Sequence, residues 1–360
     1  MSGIPRIKEE LDKVLRVKNP SEERENFLRL DKNENLIPFP DDFVQMLRDE
    51  ITADFVAIYP ELDRLYSKIA KWTGLKESNI FITAGSDAAI KAVFEVFVGK
   101  DDGVALINPT YAMYYVYTNI FGGKLIEIDF PPDLELGAVK VIEVIKQHRP
   151  RLLCIANPNA PTGTVFSHQE LKEIVKAAAE NEVVVIIDEA YYLYYDKTLI
   201  NDVDQYKNMI ITRTFSKGLG LASARIGFAA ANEEMIAALH KVRPMYEANA
   251  FGARFVEKLL DYPEIIKRNV DLALEGKSYL ENRLAKKNMK YSKGHANFIL
   301  IDVGSPEKSA EIVRSMKERN ILIGGGFKHP SIKKYIRVTV GSKEQMKKFA
   351  DELDEILAKA

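Results

Sequence analysis

The sequence predicts an α/β protein: a large domain on a mostly parallel sheet of about seven strands, followed by a smaller C-terminal α/β domain. Short β-branched runs alternate with amphipathic helical patterns from Asn79 to Ala230. One of these runs, Val183-Val184-Val185-Ile186-Ile187, is apolar at every position, as a strand covered on both faces must be. After about residue 245 the pattern changes to a long charged helix and two further strand candidates.

Taken in order, the chain from Ile4 to about Asn33 reads as an amphipathic start. It leads into the loop-prone Asp31-Lys32-Asn33-Glu34-Asn35-Leu36-Ile37-Pro38. Residues 1–45 then form an arm lying on the small domain or a partner subunit, or else a frayed terminus. After Tyr59-Pro60, the spacing of Leu62, Leu65, Ile69, Ala70 and Trp72 marks one face of a helix closed by Gly74. Strands are expected at 79–83, 104–107, 125–128, 152–156, 183–187, 209–212 and 226–230, with helical patterns at 88–97, 138–147 and 169–180 between them. The large domain spans 46–245. In the small domain, 246–360, a long helix covers 265–286, strands fall at 297–302 and 335–340 around a helix at 307–319, and 343–357 closes the chain as a helix.

Composition excludes several classes of function. With 46% hydrophobic and 29% charged residues, the 360-residue chain has the makeup of a soluble globular protein. A formal net charge of -1 gives no reason to expect nucleic acid or an anionic membrane as partner. The single cysteine, Cys154, cannot form an internal disulfide, and no Cys/His cluster suggests zinc. The N-terminus lacks a signal-peptide pattern and no apolar run reaches bilayer length, so a cytoplasmic protein is expected.

Open parallel sheets bind ligands beyond the carboxyl ends of their strands, so the residues found there are the candidates. The first strand runs into Gly85-Ser86-Asp87, a small-residue helix start whose free N–H groups suit a phosphate, or an ordinary capped helix. The second ends in Asn108-Pro109-Thr110-Tyr111, where Tyr111 either stacks on a flat ring or joins the core. The fourth ends in Asn157-Pro158-Asn159-Ala160-Pro161-Thr162-Gly163, a rigid turn from which Asn157 could donate a hydrogen bond.

The fifth ends in Asp188-Glu189-Ala190-Tyr191, and a carboxylate closing a wholly apolar strand needs a cationic partner. A pyridine nitrogen is one such partner, an arginine another. The sixth leads into Thr214-Phe215-Ser216-Lys217-Gly218-Leu219-Gly220 and on to Arg225-Ile226-Gly227. A partly desolvated lysine there could act as a nucleophile, with Ser216 and Arg225 holding an anion; a surface lysine in a glycine-rich turn is the alternative.

Jointly, these strand-end residues resemble fold-type I, class I/II aminotransferases. Asp31-Lys32-Asn33-Glu34-Asn35, Tyr59-Pro60-Glu61 and Tyr335-Ile336-Arg337-Val338-Thr339-Val340-Gly341 look like the histidinol-phosphate aminotransferase branch. The resemblance covers nearly the whole chain. It implies pyridoxal 5'-phosphate as cofactor, bound to Lys217 as a Schiff base, with Lys217 also moving the substrate proton. It further implies that Asp188 pairs with the pyridine nitrogen, that Asn157 and Tyr191 bond the phenolic oxygen, and that Tyr111 stacks on the ring. Ser86, Asp87, Ser216 and Arg225 would hold the phosphate, joined by Tyr59 from the other subunit of a homodimer with shared active sites. Arg337 would grip the substrate carboxylate or its equivalent, with Asn35 and Tyr111 also near the substrate.

The chain departs from that branch where an arginine usually holds the substrate phosphate, since the segment here reads Ile321-Leu322-Ile323-Gly324-Gly325-Gly326. Lys328, His329 or Arg243 are the cations that could replace it. The expected activity is transfer of an amino group between an amino acid or amino phosphate and a keto acid or other carbonyl acceptor. A decarboxylase of a phosphorylated amino acid on the same fold is the alternative, and a non-catalytic regulatory domain a more distant one. A nicotinamide-binding fold is disfavoured because no G-x-G-x-x-G follows the first strand.

Overall fold

The computed structural model describes residues 7–14, 16 and 23–359. Parts of the expected N-terminal arm, residues 1–6, 15 and 17–22, lie outside the described residues. Before the large sheet come a strand β1 (Leu28–Leu30) and helices α1 (Asp41–Asp49), α2 (Ala53–Ala57) and α3 (Asp63–Thr73). Helix α3 ends where Gly74 turns left-handed at φ 76°, the helix stop that its sequence position predicts.

The alternation that follows is β2 (Ile80–Thr83), α4 (Ser86–Phe97), β3 (Gly103–Asn108), α5 (Ala112–Ile120), β4 (Lys124–Asp129), α6 (Ala138–His148), β5 (Leu152–Ala156), α7 (His168–Glu180), β6 (Val184–Asp188), β7 (Met209–Thr214), β8 (Gly227–Ala230) and α8 (Glu233–His240). All seven expected strands join one sheet in the order β2-β8-β7-β6-β5-β3-β4. Six run in one direction; β8 alone is antiparallel to both its neighbours, β2 and β7. It returns directly from β7 through the loop that carries Lys217, without a crossover helix, so it must run the other way.

Both sheet faces are covered. Ile82, Ile107, Leu153, Ile155, Val185 and Ile187 pack on one side in a core that includes α6 and α7 residues such as Val141, Ile145, Leu171 and Ile174. Leu106, Cys154 and Ile186 pack on the other side against Ile90, Val93 and Phe94 of α4 and Ile236 of α8. Every residue of β6 is buried, the environment its apolar run from Val184 to Ile187 requires. Ser167 and Glu170 cap α7 reciprocally.

The remainder is α9 (Ala250–Leu259), α10 (Pro263–Lys286), β9 (Phe298–Asp302), α11 (Pro306–Glu318), β10 (Ile321–Ile323), β11 (Tyr335–Thr339) and α12 (Lys343–Lys359). Here the structure differs from the expected boundary at 245. Ala253, Val256 and Leu259 of α9, with Ile265 and Ile266 at the start of α10, pack in the large-domain core. Ala273, Leu280 and Leu284 further along α10 pack in the small-domain core. The change of core therefore falls within α10. The small domain also recruits the chain's beginning: β1 pairs in parallel with β10, and Leu30 packs in the same core as Ile336 and Val338. Strands β9 and β11 pair antiparallel, and a bridge between Gly324 and Arg337 connects the two small sheets.

Candidate active site

The carboxyl ends of β6 and β7 open on a crevice lined by Ser86, Asp87, Tyr111, Asp188, Tyr191, Ser216, Lys217 and Arg225. Each comes from a strand end or helix start, as a ligand site in an open sheet requires. Ser86 and Asp87 begin α4 directly after Gly85, which stands at φ 85°. That geometry lets the helix start turn toward the crevice with its N–H groups unpaired by the helix. Gly227 of β8 makes the approach possible, because a Cβ there would lie 2.3 Å from the backbone N of Ser86. Arg225 adopts φ 55° and its guanidinium donates to Ser216 Oγ across 3.2 Å. One end of the crevice thus gathers a helix start, a hydroxyl and a guanidinium, a set suited to a phosphate.

At the other end Asp188 is 5% exposed. Tyr114 donates to one carboxylate oxygen across 3.1 Å and Thr212 donates to the other across 3.1 Å. Burial pushes the carboxyl up to about 6, with these donors pulling the other way. A cationic ring nitrogen would relieve that desolvation. The alternative of an arginine partner does not apply, since nearby Arg213 is bonded to Glu189 at 2.7 and 2.9 Å.

Lys217 is brought down to about 8, chiefly by burial and then by the charge of Arg337. Its ammonium donates to the carbonyl of Lys32 across 2.8 Å. A lysine with that proton affinity is neutral in a useful fraction near pH 7 and can act as a nucleophile. Tyr111 lines the same space and donates to Asp87 Oδ1 across 3.2 Å.

One sequence expectation is not met by the geometry. Asn157 was expected to donate into the crevice; instead its Oδ1 accepts from the N–H of Phe166 at 2.7 Å and its Nδ2 donates to the Phe166 carbonyl at 3.3 Å. The amide mimics a strand partner for one residue and is 2% exposed, so Pro158 and Ala160 line the crevice in its place. Tyr59, expected to serve the site of the other subunit, does not line the crevice of its own chain. It is 70% exposed and stacks on Tyr246 with ring centroids 4.3 Å apart.

The substrate candidates border the crevice through the segment 31–35. Arg337 donates to the carbonyl of Asp31 across 2.7 Å, and its buried Nε has no partner among the described residues. Asn35 Oδ1 caps the N–H of Ile37, while its buried Nδ2 is unpartnered and faces Gly220. Of the three replacement cations, Arg243 pairs with Glu247, His329 bonds Ser331 and approaches Asp129, and Lys328 is exposed. None of them is among the described residues lining the crevice.

Sequence reasoning passed over Asn33, Tyr114, Thr212 and Thr339. Tyr114 carried a signal, lying one turn beyond Tyr111, and so did Thr339, which alternates with Arg337 on one face of β11. Asn33 lies within the 31–35 stretch that carries the family resemblance, and Thr212 carried no signal.

The arrangement of lysine, buried acid and phosphate cradle fits pyridoxal 5'-phosphate. Comparison with known proteins agrees. The family model for aminotransferase class I and II matches residues 25–353. A histidinol-phosphate aminotransferase of Thermoanaerobacter sp. (strain X514) is 31% identical over 333 residues, 91% of this chain and 93% of the relative. One of Caldanaerobacter subterraneus is 30% identical, over 92% and 93%. Among solved structures, the histidinol-phosphate aminotransferase of Sinorhizobium meliloti, in complex with pyridoxal-5'-phosphate, superposes with a TM-score of 0.90 at 21% identity, covering 99% of each chain. Aspartate aminotransferase of Thermus thermophilus with maleate shares the fold at a TM-score of 0.75 and 17% identity, over 92% and 91%. The chain belongs to the class I and II aminotransferases, enzymes that work with pyridoxal 5'-phosphate.

Proposed function

We propose that this aminotransferase moves an amino group between an amino acid or amino phosphate and a keto acid, with Lys217 as nucleophile and proton carrier and Arg337 as the anion anchor. The observation that carries the reading is the pairing of Lys217 near neutrality with a buried Asp188 in one crevice. When bound, the cofactor supplies an electron sink for the bond broken at the substrate's α-carbon.

The chain's own residues supply the rest. Asp188 would hold a proton on the ring nitrogen, and Ser86, Asp87, Ser216 and Arg225 would anchor the phosphate. Tyr111 would stack on the ring, and Tyr191 would bond its phenolic oxygen. Lys217 would be the base that takes the substrate's α-proton and the acid that returns it. Arg337 offers its unpartnered Nε to a substrate anion at the crevice edge, with Asn35 near it.

The working unit proposed is a homodimer. Val56, Ile58, Tyr59, Met245, Tyr246 and Phe251 form an exposed apolar surface around the Tyr59–Tyr246 stack. Covering it with a second copy would carry Tyr59 toward that copy's phosphate cradle.

A half-reaction screen tests the function. The purified, cofactor-loaded protein is mixed with histidinol phosphate, common amino acids, and the phosphate esters of serine and threonine, while the cofactor spectrum is followed. Conversion to the pyridoxamine form with release of a keto or aldehyde product supports transamination and names the donor. Release of carbon dioxide with an unchanged cofactor would make the protein a decarboxylase instead.

A further inference from the structure

We propose that Asn33 is a positioning residue for this site: it fixes the Tyr191 hydroxyl as a hydrogen-bond donor directed into the crevice, toward the cofactor's phenolic oxygen. The inference rests on the role given to Tyr191 above.

Three consecutive residues of the N-terminal segment touch three functional side chains. The Asp31 carbonyl accepts from Arg337, the Lys32 carbonyl accepts from Lys217, and Asn33 Nδ2 donates to the Tyr191 hydroxyl across 2.8 Å. Asn33 is the fixed member of the three. It is 2% exposed and stands at φ 58°, a left-handed conformation asparagine tolerates better than most residues. Its carbonyl accepts from Asn297 Nδ2 at 3.1 Å, and its N–H donates to Thr339 Oγ1 at 3.0 Å.

The orientation of the Asn33 amide follows from proton accounting. Thr339 is fully buried, and its oxygen already accepts the Asn33 N–H, so its one proton needs an acceptor. Asn33 Oδ1, 3.2 Å away, is that acceptor. The amide nitrogen is then the atom left facing Tyr191, and an amide nitrogen only donates. Tyr191 therefore accepts from Asn33 and keeps its own proton for another partner. Tyr191 is 6% exposed and lines the crevice, and its ring is held edge-on against Phe298 at 5.4 Å. Among the described residues no protein acceptor bonds its hydroxyl proton, which leaves the crevice as its destination. With Asn157 committed to Phe166, this donor is the one the protein directs at that part of the site.

A donor on the phenolic oxygen competes with the proton on the lysine-linked nitrogen for the same oxygen. It therefore makes that nitrogen easier to deprotonate, and the change is read from the absorption of the bound cofactor as pH is raised. The charged groups facing Tyr191, namely Arg337, Lys217 and Asp188, stay the same in every variant below.

The experiment measures this titration in Tyr191→Phe, Asn33→Asp, Asn33→Gly and the two double variants. Thermal unfolding and circular dichroism check each fold. Aspartate suits the left-handed backbone but presents only acceptors, so it captures the Tyr191 proton. Glycine suits the same backbone and leaves Tyr191 without its donor. Tyr191→Phe should raise the spectroscopic pKa by about 1 unit or more. Asn33→Asp should raise it to a similar degree and Asn33→Gly by less. Neither should add to the shift once Tyr191 is phenylalanine.

If Asn33→Asp and Asn33→Gly leave the titration unmoved while Tyr191→Phe shifts it, the positioning role is wrong. A shift that persists undiminished in the Tyr191→Phe background would reduce Asn33→Asp to a through-space charge effect and also overturn the proposal. If Tyr191→Phe itself causes no shift, the role of Tyr191 fails and the inference falls with it.

Discussion

Tyr114, wholly buried on α5, donates to Asp188 Oδ2 across 3.1 Å, so the acid at the end of β6 is held from beneath by a residue outside the crevice. Replacement by phenylalanine keeps the shape and removes one donor to the carboxylate. The ionised form of Asp188 then loses support against burial, and its hold on a ring nitrogen weakens. Tyr114→Phe should raise the cofactor's dissociation constant about tenfold. Spectrophotometric titration of the cofactor-free protein checks this; an unchanged constant would show that Thr212 alone suffices.

The same carboxyl makes the stability of the cofactor-free protein depend on pH. Its folded-state pKa, about 6, lies above the ordinary value of 3.8. Between those values the folded protein holds a proton that the unfolded chain has released. This contribution to stability is complete below pH 3.8 and is lost as pH rises through 6. Asp188→Asn, which cannot ionise, should gain on the wild type by about 2 kcal/mol between pH 4 and pH 7. Urea unfolding at the two pH values measures the difference, and parallel curves would contradict it.

Lys217 should set the pH at which the cofactor is captured. With a pKa of about 8, roughly a tenth of the amine is neutral at pH 7 and half at pH 8. Stopped-flow mixing of the cofactor with cofactor-free protein should show a rate that climbs about fivefold over that interval and levels off beyond. Lys217→Ala should bind the cofactor without the lysine-linked absorption band. A capture rate flat from pH 6 to pH 9 would be incompatible with a depressed lysine.

Mixed dimers test the shared site. If Tyr59 serves the neighbouring subunit, a hybrid of Tyr59→Ala and Lys217→Ala chains contains one site with both lesions and one with neither. Mixing the two inactive or impaired homodimers under exchange conditions should therefore restore about one site's worth of activity per hybrid, half that of a wild-type dimer. Sedimentation establishes the dimer independently. No recovery in verified hybrids would place Tyr59 outside the active site.

The fold was legible because its signals are local. A run such as 183–187 announces a buried strand by composition alone, and the residue types that follow each strand end already carried the chemistry. The direction of β8 was not legible, since apolar residues read the same in either sense. Nor was the core served by α9, because an amphipathic helix shows that it packs but not on what. Asn157 was legible as a polar turn residue, yet its amide satisfies a backbone as well as a ligand, and only the placement of Phe166 decides. Asn33 and Thr339 stand 306 residues apart, and nothing in either neighbourhood announces the other. The second tier of the site, the residues that orient the obvious ones, is built from such distant pairs.

The pairing of β1 with β10 has a consequence for how the enzyme comes into being. Leu28 to Leu30 dock beside Ile321 to Ile323, and the residues that reach Lys217, Tyr191 and Arg337 follow directly on that strand. A nascent chain can form most of its large sheet while these early residues have nothing to pair with. Only when the chain has left the ribosome as far as Ile323 can Leu28 to Leu30 be drawn in, closing a loop that contains the whole large sheet. The crevice is completed by a segment made before the sheet it serves, so a product that stops short of β10 would carry the lysine without the wall that positions its neighbours.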